Sequence, residues 1–179
     1  AGSAVLLVII LACVFAPLIT PYDPVASNLG DQLQGPSASH WFGTNQVGQD
    51  LFTRVLYGGR ISLSIGALAV LLAISIGIVV GSIAGYYGGW IDNILMRIAD
   101  AMLAIPQLLI LIILAQVLRE RKLLGFSSGS VAPIILVIGI LAWMGVARLV
   151  RAAFLSLKEK EFIEAARASG ASNGRIMLR

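Results

Sequence analysis

Side chains able to do chemistry are few in this sequence, and their spacing closes off most of what they could do. His40 is the single histidine, so neither a His-Glu-x-x-His pair nor any multi-histidine metal centre can be built. Cys13 is the single cysteine, which removes internal disulfides and Cys-rich metal clusters. None of Lys122, Lys158 and Lys160 follows the glycine-rich run of a phosphate-binding loop, and no Gly-x-Ser-x-Gly elbow is present. Catalytic, cofactor and metal sites are therefore not expected. A net charge of +4 and a pI near 9.6 raise the question of nucleic acid. Yet seven of the 13 Lys and Arg stand at or after Arg148, directly behind an apolar stretch. That is the pattern of charge held on the cytoplasmic side of a membrane, and no nucleic-acid partner is expected.

The elements that carry these residues are set by where charge is missing. The chain is 58% hydrophobic and 12% charged, with a mean hydropathy of +0.92, well outside the range of soluble domains. Residues 1–22, 61–91, 101–118 and 123–147 hold no Asp, Glu, Lys or Arg. A helix needs about 20 apolar residues to cross a hydrocarbon core of about 30 Å, so the four windows predict four spans in an all-α polytopic helix bundle. The first, Val5 to Ile19, contains Ile10-Leu11-Ala12-Cys13, which has the look of a lipoprotein cleavage box. No Lys or Arg precedes Arg54, however, and the apolar run continues through Phe15 and Ile19. An uncleaved span is expected, with Cys13 as an apolar filler. With Ala1 in place of an initiator methionine, residues ahead of it are expected to be missing.

Residues 21–60 form a polar connection rich in turn residues, with a short amphipathic helix over Asp50 to Tyr57 expected to lie at the membrane surface. The second span, Ile61 to Tyr86, repeats a small residue every fourth position: Ala69, Ala73, Gly77, Gly81 and Gly85. Aligned small residues let two backbones approach closely in lipid, so this row is expected to be a packing face. The third span, Ala101 to Leu118, contains Pro106, which removes a backbone bond and can kink it. The fourth runs from Val131 to Val146 or beyond, after a charged loop at Arg119-Glu120-Arg121-Lys122. Gln107 and Gln116 are the most polar side chains in these spans, and no ionisable residue stands at mid-depth. An ion-coupled secondary transporter would need one.

Behind the fourth span, residues 156–179 predict a helical elbow. Lys160, Glu161, Glu164 and Arg167 gather on one side of a helix, and Phe162, Ala165, Ala166 and Ser169 on the other. Lys160 and Glu164 are spaced for an i,i+4 ion pair. Gly170 supplies a left-handed position to end the helix, and Ser172 can cap a second one. Counting basic residues on alternating sides gives five against eight. The eight include everything from Arg148 on, so the N-terminus and residues 151–179 are expected to be cytoplasmic.

Glu164-Ala165-Ala166-x-x-x-Gly170 resembles the Glu-Ala-Ala loop of permeases in binding-protein-dependent ABC importers. In that family an Ile-x-Leu-Pro continuation would fall just beyond Arg179. A second stretch is similar to the C-type permease subunit of the dipeptide/oligopeptide/nickel group. It comprises His40-Trp41-Phe42-Gly43-Thr44-Asn45-Gln46-Val47-Gly48-Gln49-Asp50, then Arg54 to Leu63. Gly88-Gly89-Trp90, Asp92, Met96 to Asp100 and Pro106 continue the likeness. Asn45 and Gln49 depart from it, since the group carries Asp and Arg there.

The resemblance implies a type I ABC importer permease fold with six spans in the full subunit, of which four stand here. It divides the chain into a first transmembrane helix (1–20), an external loop with a short interfacial helix (21–60) and a permease domain (61–179). That domain would end in a cytoplasmic coupling elbow (156–179), with Phe162, Glu164, Ala165, Ala166, Arg167 and Gly170 serving ATPase coupling. Ala73, Gly77, Gly81 and Gly85 would serve helix packing. The implied function is non-catalytic passage of di- or oligopeptides through a bacterial cytoplasmic membrane. Its partners would be a homologous second permease, two ATP-binding cassette ATPases, an external solute-binding protein and the bilayer. Nickel or glutathione is the alternative cargo. A non-transporting scaffold or lipoprotein explains neither the glycine row nor the elbow.

Overall fold

A computed structural model describes residues 2–120 and 130–178 of the 179-residue chain. Arg121, Lys122 and Arg179, and the start of the fourth apolar window, lie outside the described residues. Among the described residues the secondary structure is helical, apart from one antiparallel bridge between Thr44 and Asp50. The helices are α1 (Gly2–Val14), α2 (Ala16–Ile19), α3 (Leu51–Tyr87), α4 (Gly89–Ala104), α5 (Gln107–Glu120), α6 (Ala132–Leu157), α7 (Glu161–Ala168) and α8 (Asn173–Leu178). The chain divides into two compact units, Ala1–Gly66 and Ala67–Arg179.

In the first unit the expected span from Val5 to Ile19 is two helices. α1 has 13 residues, about 20 Å at 1.5 Å per residue, and the chain turns at Phe15 before α2. The cause is Pro17, which has no N–H to donate and sits in the first turn of a new helix. Cys13 is buried, with its Sγ 2.5 Å from where a Cβ on Gly59 would stand. A Cβ there would require the Cys13 side chain to shift.

The separate short helix expected over Asp50 to Tyr57 does not exist as such. Those residues from Leu51 on are the start of α3, a single helix of 37 residues. Its N-terminus is capped by Asp50, whose Oδ2 accepts from the Thr53 amide at 2.7 Å. Gly58 and Gly59 do not interrupt it. Each costs a helix only about 1 kcal/mol, and a chain without proline from Leu51 to Tyr87 can absorb that.

In the second unit α4 and α5 replace the expected straight third span. Ile105, ahead of Pro106, is extended (φ −88°, ψ 136°), as the residue before proline is driven to be. The two helices bend by 85° across this break. The expected count of four spans is revised accordingly. Two described helices, α3 and α6, are long and apolar enough to cross a membrane, and the bent α4–α5 pair makes a third if it is one span. α6 has 26 residues and keeps Trp143, Met144 and Ala147 buried with Ala99 of α4. Ile76, Val80, Met96 and Met102 pack around them.

Candidate functional site

The C-terminal elbow is built by one glycine. α7 ends at Ala168, and Gly170 takes φ +80°, a left-handed conformation that side chains with a Cβ resist. The Ala171 amide then returns to the Ala166 carbonyl at 3.0 Å and the Ser169 amide to Ala165 at 3.0 Å, satisfying two of the four carbonyls a helix end leaves open. Ser169 also donates its hydroxyl to the Ala165 carbonyl at 2.8 Å. Ser172 stands just ahead of α8, where its carbonyl accepts from Ile176 at 3.0 Å.

Between the two helices lies an apolar groove of about 220 Å³, lined by Phe162, Ile163, Ala166, Ala171, Arg175 and Ile176. Phe162 is 61% exposed at its edge. Glu164, Ala165 and Gly170 are exposed and Ala166 is half-buried, so the acid and the small residues reach the same open surface. The Arg167 side chain lies outside the described ones. The expected Lys160–Glu164 ion pair is absent among the described residues. Lys160 stands just ahead of α7, where its carbonyl accepts from the Ile163 amide at 2.9 Å and the Glu164 amide at 3.4 Å, so the two residues meet through the backbone and not through their charges.

One side-chain contact ties the elbow to α3 and two ion pairs tie α4 to α6, none of them disclosed by residue spacing alone. The Tyr86 hydroxyl, near the end of α3, donates to Asn173 Oδ1 at 2.6 Å. On α4 and α6, Arg151 grips Asp92 with both Nε and Nη2, the latter 2.5 Å from Oδ2. Such a two-pronged guanidinium–carboxylate pair fixes direction as well as distance. Arg148 pairs with Asp100 on the same two helices. The signal was present as two acids on one helix and two arginines three residues apart on another. Nothing in the sequence said that α4 and α6 are neighbours.

The small-residue row lies where α3 meets α6. Ala69 and Ala73 are buried. A Cβ on Gly77 would come within 2.5 Å of the Val146 Cβ, one on Gly81 within 2.5 Å of the Ala147 carbonyl, and one on Gly85 within 2.5 Å of the Phe154 Cβ. Three successive turns of α3 thus meet α6 at backbone distance. Gln107 donates weakly to the Leu141 carbonyl at 3.4 Å across α5 and α6.

The connection ahead of α3 holds a second set of polar residues. His40 is buried and its Nδ1 lies 3.0 Å from Asp50 Oδ1. Asn45 and Gln49 form an amide pair at 3.0 Å, and the Asn45 Oδ1 also accepts from the Val47 and Gln49 amides. Gln49 reaches the Val25 carbonyl at 2.9 Å. Two uncharged amides thus occupy positions where the resembling group has a carboxylate and a guanidinium, and they pair with each other. Gly48, at φ +74°, lets the turn pass so close that a Cβ would overlap the Asn28 carbonyl.

Residues 77–179 match the family described as the binding-protein-dependent transport system inner membrane component. Residues 1–36 match the N-terminal TM domain of oligopeptide transport permease C. The chain is 43% identical over 177 residues to the dipeptide transport system permease protein DppC of Alkalihalophilus pseudofirmus, covering 99% of this chain and 55% of that one. It is 39% identical over 178 residues to the oligopeptide transport system permease protein OppC of Bacillus subtilis, covering 99% and 55%. With the glutathione transport system permease protein GsiD of Pectobacterium atrosepticum it shares 38% over 180 residues, covering 100% and 56%. The chain spans about half the length of the curated relatives it matches.

Proposed function

This chain belongs to the family of binding-protein-dependent transport system inner membrane components, and from that premise we propose that it is part of a permease subunit of an ATP-driven importer of di- or oligopeptides. The subunit pairs with a homologous permease to enclose the pathway, receives solute from an external binding protein and takes its energy from two cytoplasmic ATPases. Residues 1–20 form its first span, a reading supported by the match of residues 1–36 to an N-terminal TM domain.

The observation that carries the reading is the α7–Gly170–α8 elbow. It has no nucleotide-binding loop of its own, so energy must arrive through surface contact. Its groove offers what a partner's apolar side chain would need, with Phe162 at the edge and Ala166 at the floor. Glu164 and Ala165 stand open beside it, and the Tyr86–Asn173 bond ties the elbow to α3. A push on the groove is therefore passed to the spans as movement of a short rigid lever.

The test uses the full-length subunit within its complex. Glu164→Lys reverses a charge without straining the backbone. Gly170→Val puts a β-branched residue at φ +80°, at a cost of order 1–2 kcal/mol. Both variants are expected to insert and keep the permease pair, and to lose ATPase co-purification or peptide uptake about tenfold or more. Normal ATPase binding and uptake in both would make the elbow an ordinary solvated helix pair. Glutathione is the second cargo reading, favoured by the GsiD relative. Competition of labelled dipeptide uptake by glutathione separates the two.

A further inference from the structure

The connection ahead of α3 contains a cavity of about 180 Å³ that none of the foregoing uses. The residues that line it include the aromatic Tyr22, Trp41 and Phe52, together with Thr20, Ser39 and Asp50. Trp41 and Phe52 lie 4.9 Å apart at 45°, and Tyr22 packs on His40 at 4.9 Å, so the rings are braced by their neighbours. No Lys or Arg lines the cavity. The Asp50 side chain is only 3% exposed. Its Oδ2 accepts from both the amide and the hydroxyl of Thr53 at 2.7 Å, and its Oδ1 faces His40 Nδ1 at 3.0 Å. A carboxylate has about four acceptor positions, so these three contacts leave room for one more donor.

From this placement we propose that the cavity binds a primary ammonium group, with Asp50 as its counter-charge and Tyr22, Trp41 and Phe52 as its aromatic walls. An –NH3⁺ group carries three donors. Asp50 is one acceptor for them. Thr20 is another: its hydroxyl donates to that of Thr53 at 2.5 Å and accepts from the Tyr22 amide at 3.3 Å, which leaves one lone pair to offer. Ser39 also lines the cavity, its carbonyl accepting from the Tyr22 hydroxyl at 2.9 Å. Ring faces attract cations even at exposed sites, and Trp41 here is 61% exposed. The volume equals about six waters at about 30 Å³ each, room for an aminoalkyl end but not for a whole peptide. The ammonium is that of a lysine side chain or of a peptide N-terminus. The inference holds whichever side of the membrane the connection faces.

The experiment is a fluorine NMR titration of the full-length permease in its assembled complex, labelled with 5-fluorotryptophan, with the Trp41 resonance assigned through Trp41→Phe. Ethylammonium chloride stands for the lysine end and glycinamide for the N-terminus. Ethanol is the neutral control of similar size and sodium chloride the ionic one. The expected result is a saturable shift of the Trp41 resonance with one or both ammonium probes and none with either control, the tighter probe naming the source. Asp50→Asn should weaken binding at least tenfold. Should that variant fail to fold, Phe52→Leu, which removes one ring and no hydrogen bond, should weaken it about threefold or more. An unshifted Trp41 resonance overturns the proposal. So does an equal response to ethanol, or unchanged affinity in Phe52→Leu together with any folded Asp50→Asn.

Discussion

Asp50 is buried in the first unit and bonds both His40 and Thr53. Burial pushes its carboxyl up, but the amide and hydroxyl of Thr53 and the His40 ring together outweigh that and leave it below the ordinary aspartate range. A carboxyl whose pKa is lower in the folded than in the unfolded chain adds stability above the unfolded value, near pH 4. That stability disappears as pH falls through the lowered folded value. Thermal unfolding of the purified subunit, followed by circular dichroism between pH 6 and 3, should therefore lose part of its acid sensitivity in Asp50→Asn. At pH 7 the same variant should be less stable by about 1.5–3 kcal/mol, the worth of hydrogen bonds to a charged group. Parallel acid profiles for the two proteins would place the pH dependence elsewhere. The residue types were legible in the sequence, where Asp50 opens a helical pattern. Its union with His40, ten positions earlier, was not, because only the folded loop brings them together.

At the scale of elements, the contact between α3 and α6 is the clearest case of a pattern that spacing can suggest and only geometry can locate. In lipid there is no hydrophobic gain from bringing helices together, so close packing of backbones must supply the attraction. Gly81→Leu would drive a branched side chain into the Ala147 carbonyl and the Val150 Cβ, which lie 2.5 and 2.8 Å from the new Cβ. Overpacking of this kind costs about 1–3 kcal/mol or more. Val79→Leu, on the exposed side of the same helix, should cost less than about 0.5 kcal/mol. The yield of assembled complex after detergent extraction is the measurement, and equal yields would show the glycine row to be compositional. The bend at Pro106 teaches a different lesson. Proline announced a kink, yet the size of the bend, 85°, follows from an extended Ile105 and from α5 packing on α6.

At the scale of the whole molecule, the distribution of basic residues bears on which side of the membrane each end faces. We propose that the N-terminus and residues 151–179 face the cytoplasm and residues 20–60 the outside, which the count of five basic residues against eight supports when residues 1–20 and the α4–α5 pair are each one span. Single cysteines at Ser39 and Ser172, introduced in a Cys13→Ala background of the full-length subunit, report this directly. An impermeant thiol reagent applied to whole cells should label position 39 and spare 172. Labelling of 172 alone would invert the topology.

The sequence by itself determined that this chain is helical and membrane-embedded, because charge-free windows of this length are stable only with every backbone group bonded within the helix or barrel that contains it. It also determined where the elbow turns, since Gly170 alone there meets the left-handed backbone without strain. Both are local matters of composition and chirality. Tertiary structure decided which helix the glycine row meets. It decided too that Asp92 and Asp100 are held by Arg151 and Arg148, and that Asp50, His40 and three aromatic rings share one cavity wall or its support. These are pairings between residues far apart in the chain. Their energy depends on distance and orientation, which no periodicity within a single helix contains.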